Sequence, residues 1–407
     1  MVVRWETDRN ARPWLRVLSS PLTSPQIFRW FTGNTDCPDG NKMRCISTVF
    51  VTGLSPDHSS IFVLGDVEPL TKTGVRPNGQ FTTEPINLGS EEFSFSVFGD
   101  VQGEGGKAWN LVSKTTVDLQ GATGRAGGPV LHTGDLNLTL LEDDIFFTST
   151  KSMLSRHPFF PAHGNGDDEL QYLRYFGSTG RLNPLNYDNN TQTFYSLNYA
   201  NTHFIFLDTL SLDSCAYKQA NWLRNNLSND GALNADNIVL VAHHGPFGRG
   251  KYVENSILQT CLSSLFTDLH GKPTNFFRKL RLVLSGHQHS YQRIKKIHQV
   301  GTEMRGVYYL TVGTAGATPA CPVPVAGLRV SSASICNNPP AAATYDYQGI
   351  NVEVRGGVFE IRAYNYAFDA AGHPVPVGVP AKSYSLLDCF AFDNKGTSVS
   401  PENAYKL

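Results

Sequence analysis

The sequence predicts an α/β domain preceded by a small all-β sandwich, and three observations carry that reading. Apolar runs ending in a glycine and a polar residue recur from Phe93 onward, an amphipathic stripe of helical period lies among them, and residues 1–85 show only short alternating runs. Strands that alternate with helices place a site at the strand ends. A chain of 407 residues allows two or three domains, each with its own core. Its 34 basic and 35 acidic side chains leave a net charge of −1. That balance excludes a nucleic-acid binder working by bulk charge, because neutralising phosphates needs a basic surplus. The 40% hydrophobic content excludes a disordered chain. No apolar run approaches the roughly 18 residues of a transmembrane helix.

Each element follows in order. VVRWETD and RPWLRVLS are short alternating runs, and TVFVTGLSPDHSSIFVLGD sets a turn between two strands. The domain over 1–85 is therefore a β-sandwich. The turn-rich stretch EPINLGSEE makes 86–92 a linker to a second domain over 93–407. There the runs FSFSVFGD, PVLHTGD, FFPAHGN, IVLVAHH and LRLVLSGHQH read as strands with polar ends. Ile257, Leu258, Cys261, Leu262, Leu265, Phe266 and Leu269 form one helical stripe, with Asn255 or Ser256 as its cap. DDELQYLRYF and AYKQANWLRNNLSN are shorter helices. After Val307 the chain returns to strands, interrupted by a Pro/Ala loop at 317–342.

None of the seven cysteines forms a CxxC, which argues against a zinc ribbon or a thioredoxin-type site. The close pairs Cys37/Cys45 and Cys321/Cys336 point to local disulfides and an oxidising compartment. Sequons begin at Asn137, Asn189 and Asn226, so the expected location is secreted or lumenal. The N-terminus has no signal-peptide core and reads like the middle of a strand, as if a piece were missing upstream.

The strand ends carry Asp100, Asp135, Asn165, His243, His244, His287 and His289. Singly, an Asp or Asn at a turn is usually a turn former, and a lone histidine is usually a satisfied core residue. Together they form the oxygen and imidazole set that borderline and hard divalent ions accept. Side chains converging from successive strand ends can hold two ions about 3.5–4 Å apart, an arrangement that clamps a phosphoryl group.

The order of these motifs resembles the calcineurin-like metallophosphoesterase family, and more closely its purple-acid-phosphatase-like branch. FGDVQ, HTGDLN, GNGDDE, VAHHGPF and SGHQHSYQR look like the five successive blocks of that family. VTGLSPDHSS and FTTEP look like the end of the branch's fibronectin-type N-terminal domain, and YLTVGTAG resembles its strand after the last block. The resemblance implies a sandwich of two mixed β-sheets flanked by helices, preceded by the fibronectin-like sandwich. It also implies two metal ions, Fe, Mn or Zn. Metal one would take Asp100, Asp135 and His289; metal two would take Asp135, Asn165, His287 and either His243 or His244. Spacing to Phe247 favours His243 and spacing to Pro246 favours His244; we take His243.

Three positions depart from the family pattern. Gln102 stands where many relatives have His, and its carbonyl can ligate a hard ion on metal one. Leu138 replaces the Tyr whose phenolate colours the purple enzymes. Gly166 replaces the His of the third block, which leaves His244 or His163 to compensate. Arg249, Lys251 and Arg293, just beyond the metal motifs, are expected to orient phosphate. The implied function is hydrolysis of a small phosphate ester, acid-phosphatase-like, by hydroxide held at the ions. The alternatives are a phosphodiesterase on the same scaffold, or a metal-binding protein that has lost turnover and serves binding or adhesion.

Overall fold

The computed structural model describes residues 2–7, 12–19, 28–37, 45–55, 59–65, 79–83, 92–103, 106–123, 128–138, 143–177, 193–212, 215, 218–248, 252, 254–319, 329–330, 345–368 and 384–401. Two compact units divide it: residues 1–86 with 152–158, and residues 87–151 with 159–407. The linker expected at 86–92 lies outside the described residues, except that Glu92 is already the first residue of a strand.

The first unit holds β1 (Val2–Thr7), β2 (Trp14–Ser19), β3 (Phe28–Asp36), β4 (Cys45–Phe50), β5 (Ser59–Gly65) and β6 (Gly79–Thr82). β3 belongs to two ladders, pairing with β2 through Thr32 and with β4 from Gly33. At the crossover a Cβ on Gly33 would collide with the Thr48 carbonyl, so only glycine lets the strands approach there. This strand switch puts β4 and β5 in different halves, although they follow one another in the chain. Leu15, Val17, Val49, Val51, Phe62 and Phe81 from both halves form one core. Cys37 and Cys45 are bonded, as their spacing suggests; Cys321 and Cys336 lie outside the described residues.

The second unit runs β7 (Glu92–Phe98), α1 (Lys107–Thr123), β8 (Val130–His132), α2 (Asp143–Leu154), β9 (Phe159–Pro161), α3 (Glu169–Phe176), β10 (Tyr195–Tyr199), β11 (Thr202–Leu207), α4 (Lys218–Leu227), α5 (Asp230–Asn234) and β12 (Asn237–Ala242). It continues with α6 (Ser256–Ser264), α7 (Asn275–Lys279), β13 (Leu280–Ser285), β14 (Tyr291–Val300), β15 (Glu303–Val312), β16 (Arg329–Val330), β17 (Tyr345–Arg355), β18 (Val358–Phe368), β19 (Ser385–Phe392) and β20 (Ser398–Val399). Two mixed seven-stranded sheets result, ordered β20-β19-β18-β17-β7-β8-β9 and β10-β11-β12-β13-β15-β14-β16.

Phe95 and Leu131 of one sheet share a core with Phe204, Val239 and Leu282 of the other. The opposite face of β12 carries Ile238 and Leu240 into a second core with Leu223, Leu258, Leu262 and Phe277 from α4, α6 and α7. A strand covered on both faces explains the unbroken apolar run IVLVA. Asn255 caps α6 by accepting from the Leu258 amide at 2.9 Å. The helix ends at Ser264, short of the predicted stripe, because Asp268 takes the amides of His270 and Lys272 into a turn and leaves Leu269 fully exposed. A disulfide that spacing does not suggest joins Cys215, beyond β11, to Cys261 on α6. Of the sequons, Asn226 is only 2% exposed: its Nδ2 donates to Ser196 Oγ at 2.6 Å, and its Oδ1 is 2.8 Å from His203 Nε2.

Candidate metal centre

Parallel pairing aligns the carboxyl ends of β7, β8 and β9 in one sheet, and of β11, β12 and β13 in the other. Asp100, Asp135 and Asn165 follow the first set; His243, His244, His287 and His289 follow the second. Asp100, Asp135 and His287 have positive φ, a conformation that non-glycine residues adopt at a cost and that recurs at functional sites.

The Asp135 carboxylate stands between two groups. Its Oδ1 is 3.2 Å from His243 Nε2, which is itself 3.0 Å from Asn165 Oδ1. Its Oδ2 accepts from Gln102 Nε2 at 3.0 Å, and that amide also lies 3.4 Å from His289 Nε2. His289 Nε2 in turn is 3.5 Å from Asp100 Oδ1, and the His287 amide donates to both Asp100 oxygens. His243 and His289 direct Nδ1 at the carbonyls of Thr133 and Thr318, at 2.9 and 3.1 Å. A carbonyl only accepts, so in both rings Nδ1 carries a proton, and when either ring is neutral its lone pair is left on Nε2, on the side of the carboxylates. Ligand atoms of Asp100, Asp135 and His243 lie within 4.8 Å of one another, as do those of His243, His244 and His287.

Burial, opposed by the hydrogen bond to His289 and reinforced by the Asp135 charge, pushes Asp100 up to about 7. Two carboxylates this close, facing imidazole lone pairs, are a donor set that a cation would satisfy. The residues therefore fit a pair of metal ions, with one Asp135 oxygen turned to each group. Gln102 Oε1 is buried and has no partner among the described residues, so a half-turn of the amide would offer a metal an oxygen. Gly166 closes the loop against the bridge: its amide donates to Asp135 Oδ1 at 2.6 Å, and a Cβ would stand 3.0 Å from the Asp135 carboxyl carbon.

Not every expected residue comes here. His163 lies outside the clustered ligand atoms, with Nδ1 3.5 Å from Asp208 Oδ1 and its ring against Tyr172. Burial works against its charged form, but the Asp208 carboxylate outweighs burial and raises it; Asp208 is correspondingly lowered. Arg293 does not reach the cluster either: its guanidinium lies 3.3 Å from Asp388 and over the Phe390 ring, which accounts for its cation without a substrate. Arg249 and Lys251 lie outside the described residues. Leu138, for which the resemblance leads one to expect a Tyr, is fully buried, and the hydroxyl of Tyr291, beside the last histidine block, donates to Asp388.

Three neighbours escape a reading of motifs alone. Thr209 contacts His244, the ring of Tyr252 packs 4.1 Å from that of His287, and Asp167 binds the amides of Leu138 and Gly164. Tyr252 is held by Gln288, the residue between the two histidines of the last block, whose amide pairs with its backbone. Thr209 and Tyr252 lie outside the motifs and gave no sequence signal; Asp167 and Gln288 sit inside them but carried no assigned role.

Residues 95–291 match the family model of the calcineurin-like phosphoesterases. More particularly, the relatives are purple acid phosphatases. Probable purple acid phosphatase 20 of Arabidopsis thaliana is 22% identical over 269 residues, 62% of this chain and 60% of that protein. Purple acid phosphatase 22 of Arabidopsis thaliana is 22% identical over 263 residues, 60% and 54% of the two chains. This chain thus spans no more than 60% of the length of either curated relative. Among solved structures, a purple acid phosphatase from yellow lupin (Lupinus luteus) seeds superposes with a TM-score of 0.66 at 15% identity, covering 96% of this chain and 72% of that one. PhoD superposes with a TM-score of 0.58 at 12% identity, covering 97% and 86%. Both likenesses show the fold.

Proposed function

We propose that this chain is a dinuclear-metal-dependent hydrolase of phosphate esters, an acid-phosphatase-like phosphomonoesterase acting on small molecules. The observation that supports it most is Asp135, which turns one oxygen to His243 and Asn165 and the other to Gln102 and the His289 side. Asp100, Gln102 and His289 hold one ion with Asp135; Asn165, His243 and His287 hold the other. Fe, Mn or Zn suits this mixture of carboxylate, amide and imidazole. When bound, the ions acidify a water and neutralise charge on the transferring group.

The chain's own part is placement. The carbonyls of Thr133 and Thr318 turn the two imidazoles, and the Gly166 amide holds the Asp135 carboxylate in register. Gly166 has no side chain to donate to the substrate, which leaves His244 as the imidazole beside the centre that is free for that work. The disulfides support a secreted or lumenal location. No described helix is long and apolar enough to cross a membrane.

Elemental analysis and an ester panel test the reading together. Metal-replete protein is expected to hold two ions per chain and to hydrolyse aryl phosphate monoesters. Asp135→Ala removes both ions, whereas Gln102→Ala weakens one. Faster turnover of diesters would reassign the substrate class, and an absence of bound metal in the intact protein would end the enzymatic reading.

A further inference from the structure

His243 and His244 are adjacent in the chain and bonded to opposite kinds of partner. His243 Nδ1 meets the Thr133 carbonyl, which can only accept. His244 Nδ1 meets a hydroxyl instead, Thr209 Oγ1, at 2.9 Å. That hydroxyl oxygen already accepts from the His244 backbone amide at 3.0 Å. Thr209 is 6% exposed, and among the described residues no other acceptor lies within reach of its proton. A buried hydroxyl proton left without an acceptor costs about 1–3 kcal/mol. The proton therefore goes to His244 Nδ1, and neutral His244 carries its own proton on Nε2. An Nε2–H has no lone pair for a cation. It is a donor, and its ring packs 4.1 Å from that of His287 beside the metal-holding residues.

We propose that Thr209 is a positioning residue that makes His244 a hydrogen-bond donor to the phosphoryl oxygens of the substrate and keeps it off the metal ions. The proposal rests on the dinuclear reading above and resolves the choice between the two histidines that spacing leaves open: His243 ligates and His244 donates. It also supplies a donor that Gly166 cannot, since Gly166 has no side chain and its amide is bound to Asp135. Thr209 can act this way because its loop is held from both sides. Gln219 accepts from the Asp208 amide at 2.9 Å and donates to the Asp208 carbonyl at 2.7 Å. The Leu210 amide donates to the Asp208 carboxylate at 3.0 Å. A donor fixed before substrate arrives pays no reorganisation when charge develops on the phosphoryl group.

Nitrogen NMR of histidine-labelled protein tests this without relying on turnover. In metal-free protein, His244 is expected as the Nε2–H tautomer and His243 as the Nδ1–H tautomer. On loading with an NMR-active cadmium isotope, His243 Nε2 should couple to the metal and His244 should not. Thr209→Val should release the His244 tautomer and lower kcat for alkyl monoesters by about 10²–10³-fold, the worth of one preorganised donor. Metal content should stay at two and KM should change little, and Thr209→Ser should restore both tautomer and rate. An Nδ1–H tautomer at His244, or cadmium coupling to it, overturns the proposal, and needs no variant to fold. Protein that takes up no cadmium but shows the expected tautomers would sink the dinuclear reading and leave standing only the tautomer that Thr209 sets, not its role toward substrate.

Discussion

His132 shows what burial alone does to a single side chain. It is fully buried, its Nδ1 accepts from the Gly134 amide, and its Nε2 has no partner among the described residues. Burial, with a smaller contribution from His243, lowers it to about 3. Unfolded, the same imidazole titrates near 6.5, so between these values the unfolded chain binds the extra proton and stability falls as pH falls. Asp100 and Asp167 are both pushed up to about 7, chiefly by burial, and tilt the slope the other way in metal-free protein. The quantity to measure is therefore the difference between wild type and His132→Phe in urea. From pH 6.5 to about 5 the wild type should lose about 2 kcal/mol relative to the variant; parallel curves would show that His132 is not held neutral. The charged and imidazole residues of the centre were legible in the sequence because their types and order are what the chemistry needs. Thr209, Thr133 and Thr318 were not. Two of them act through backbone carbonyls, which every residue has, and the third reaches His244 from another strand end.

At the scale of elements, apolar runs and caps were readable, while partners were not. The stripe from Ile257 predicted α6 and its Asn255 cap, but nothing in that period announced the Asp268 turn that ends it. The Cys215–Cys261 disulfide, spanning 46 residues, was equally hidden, since spacing does not name a partner. It ties the segment after β11, next to Thr209, to α6, and the loop it closes contains His243 and His244. Closing a loop of this length in the unfolded chain is worth about 4 kcal/mol on the chain-entropy model. Cys215→Ser with Cys261→Ser should therefore lose up to about 4 kcal/mol in denaturant. A loss below about 1 kcal/mol would mean that the unfolded chain is not what the bond restrains.

Over the whole molecule, the sequence made the α/β class legible through its repeated strand ends, but not the division of those strands between two sheets. β7 pairs with β17, more than two hundred residues away, and no local pattern encodes that neighbour. One sequon misleads for a related reason: Asn226-Leu-Ser is a surface signal by sequence and a core residue by fold. Its side-chain nitrogen, the atom a glycan would occupy, is spent on Ser196 beneath α4. Attachment of an oligosaccharide there and completion of this fold are mutually exclusive, so the order of events during synthesis matters. In a secretory host, Asn226 is open to the modifying enzyme only until β10, β11 and α4 have come together. Glycopeptide mapping of the soluble protein should find Asn226 bare, and a sugar on it would show that the His203–Asn226–Ser196 contacts are not those of the mature molecule. A sequon thus buried times the docking of its helix, because it can be marked only beforehand.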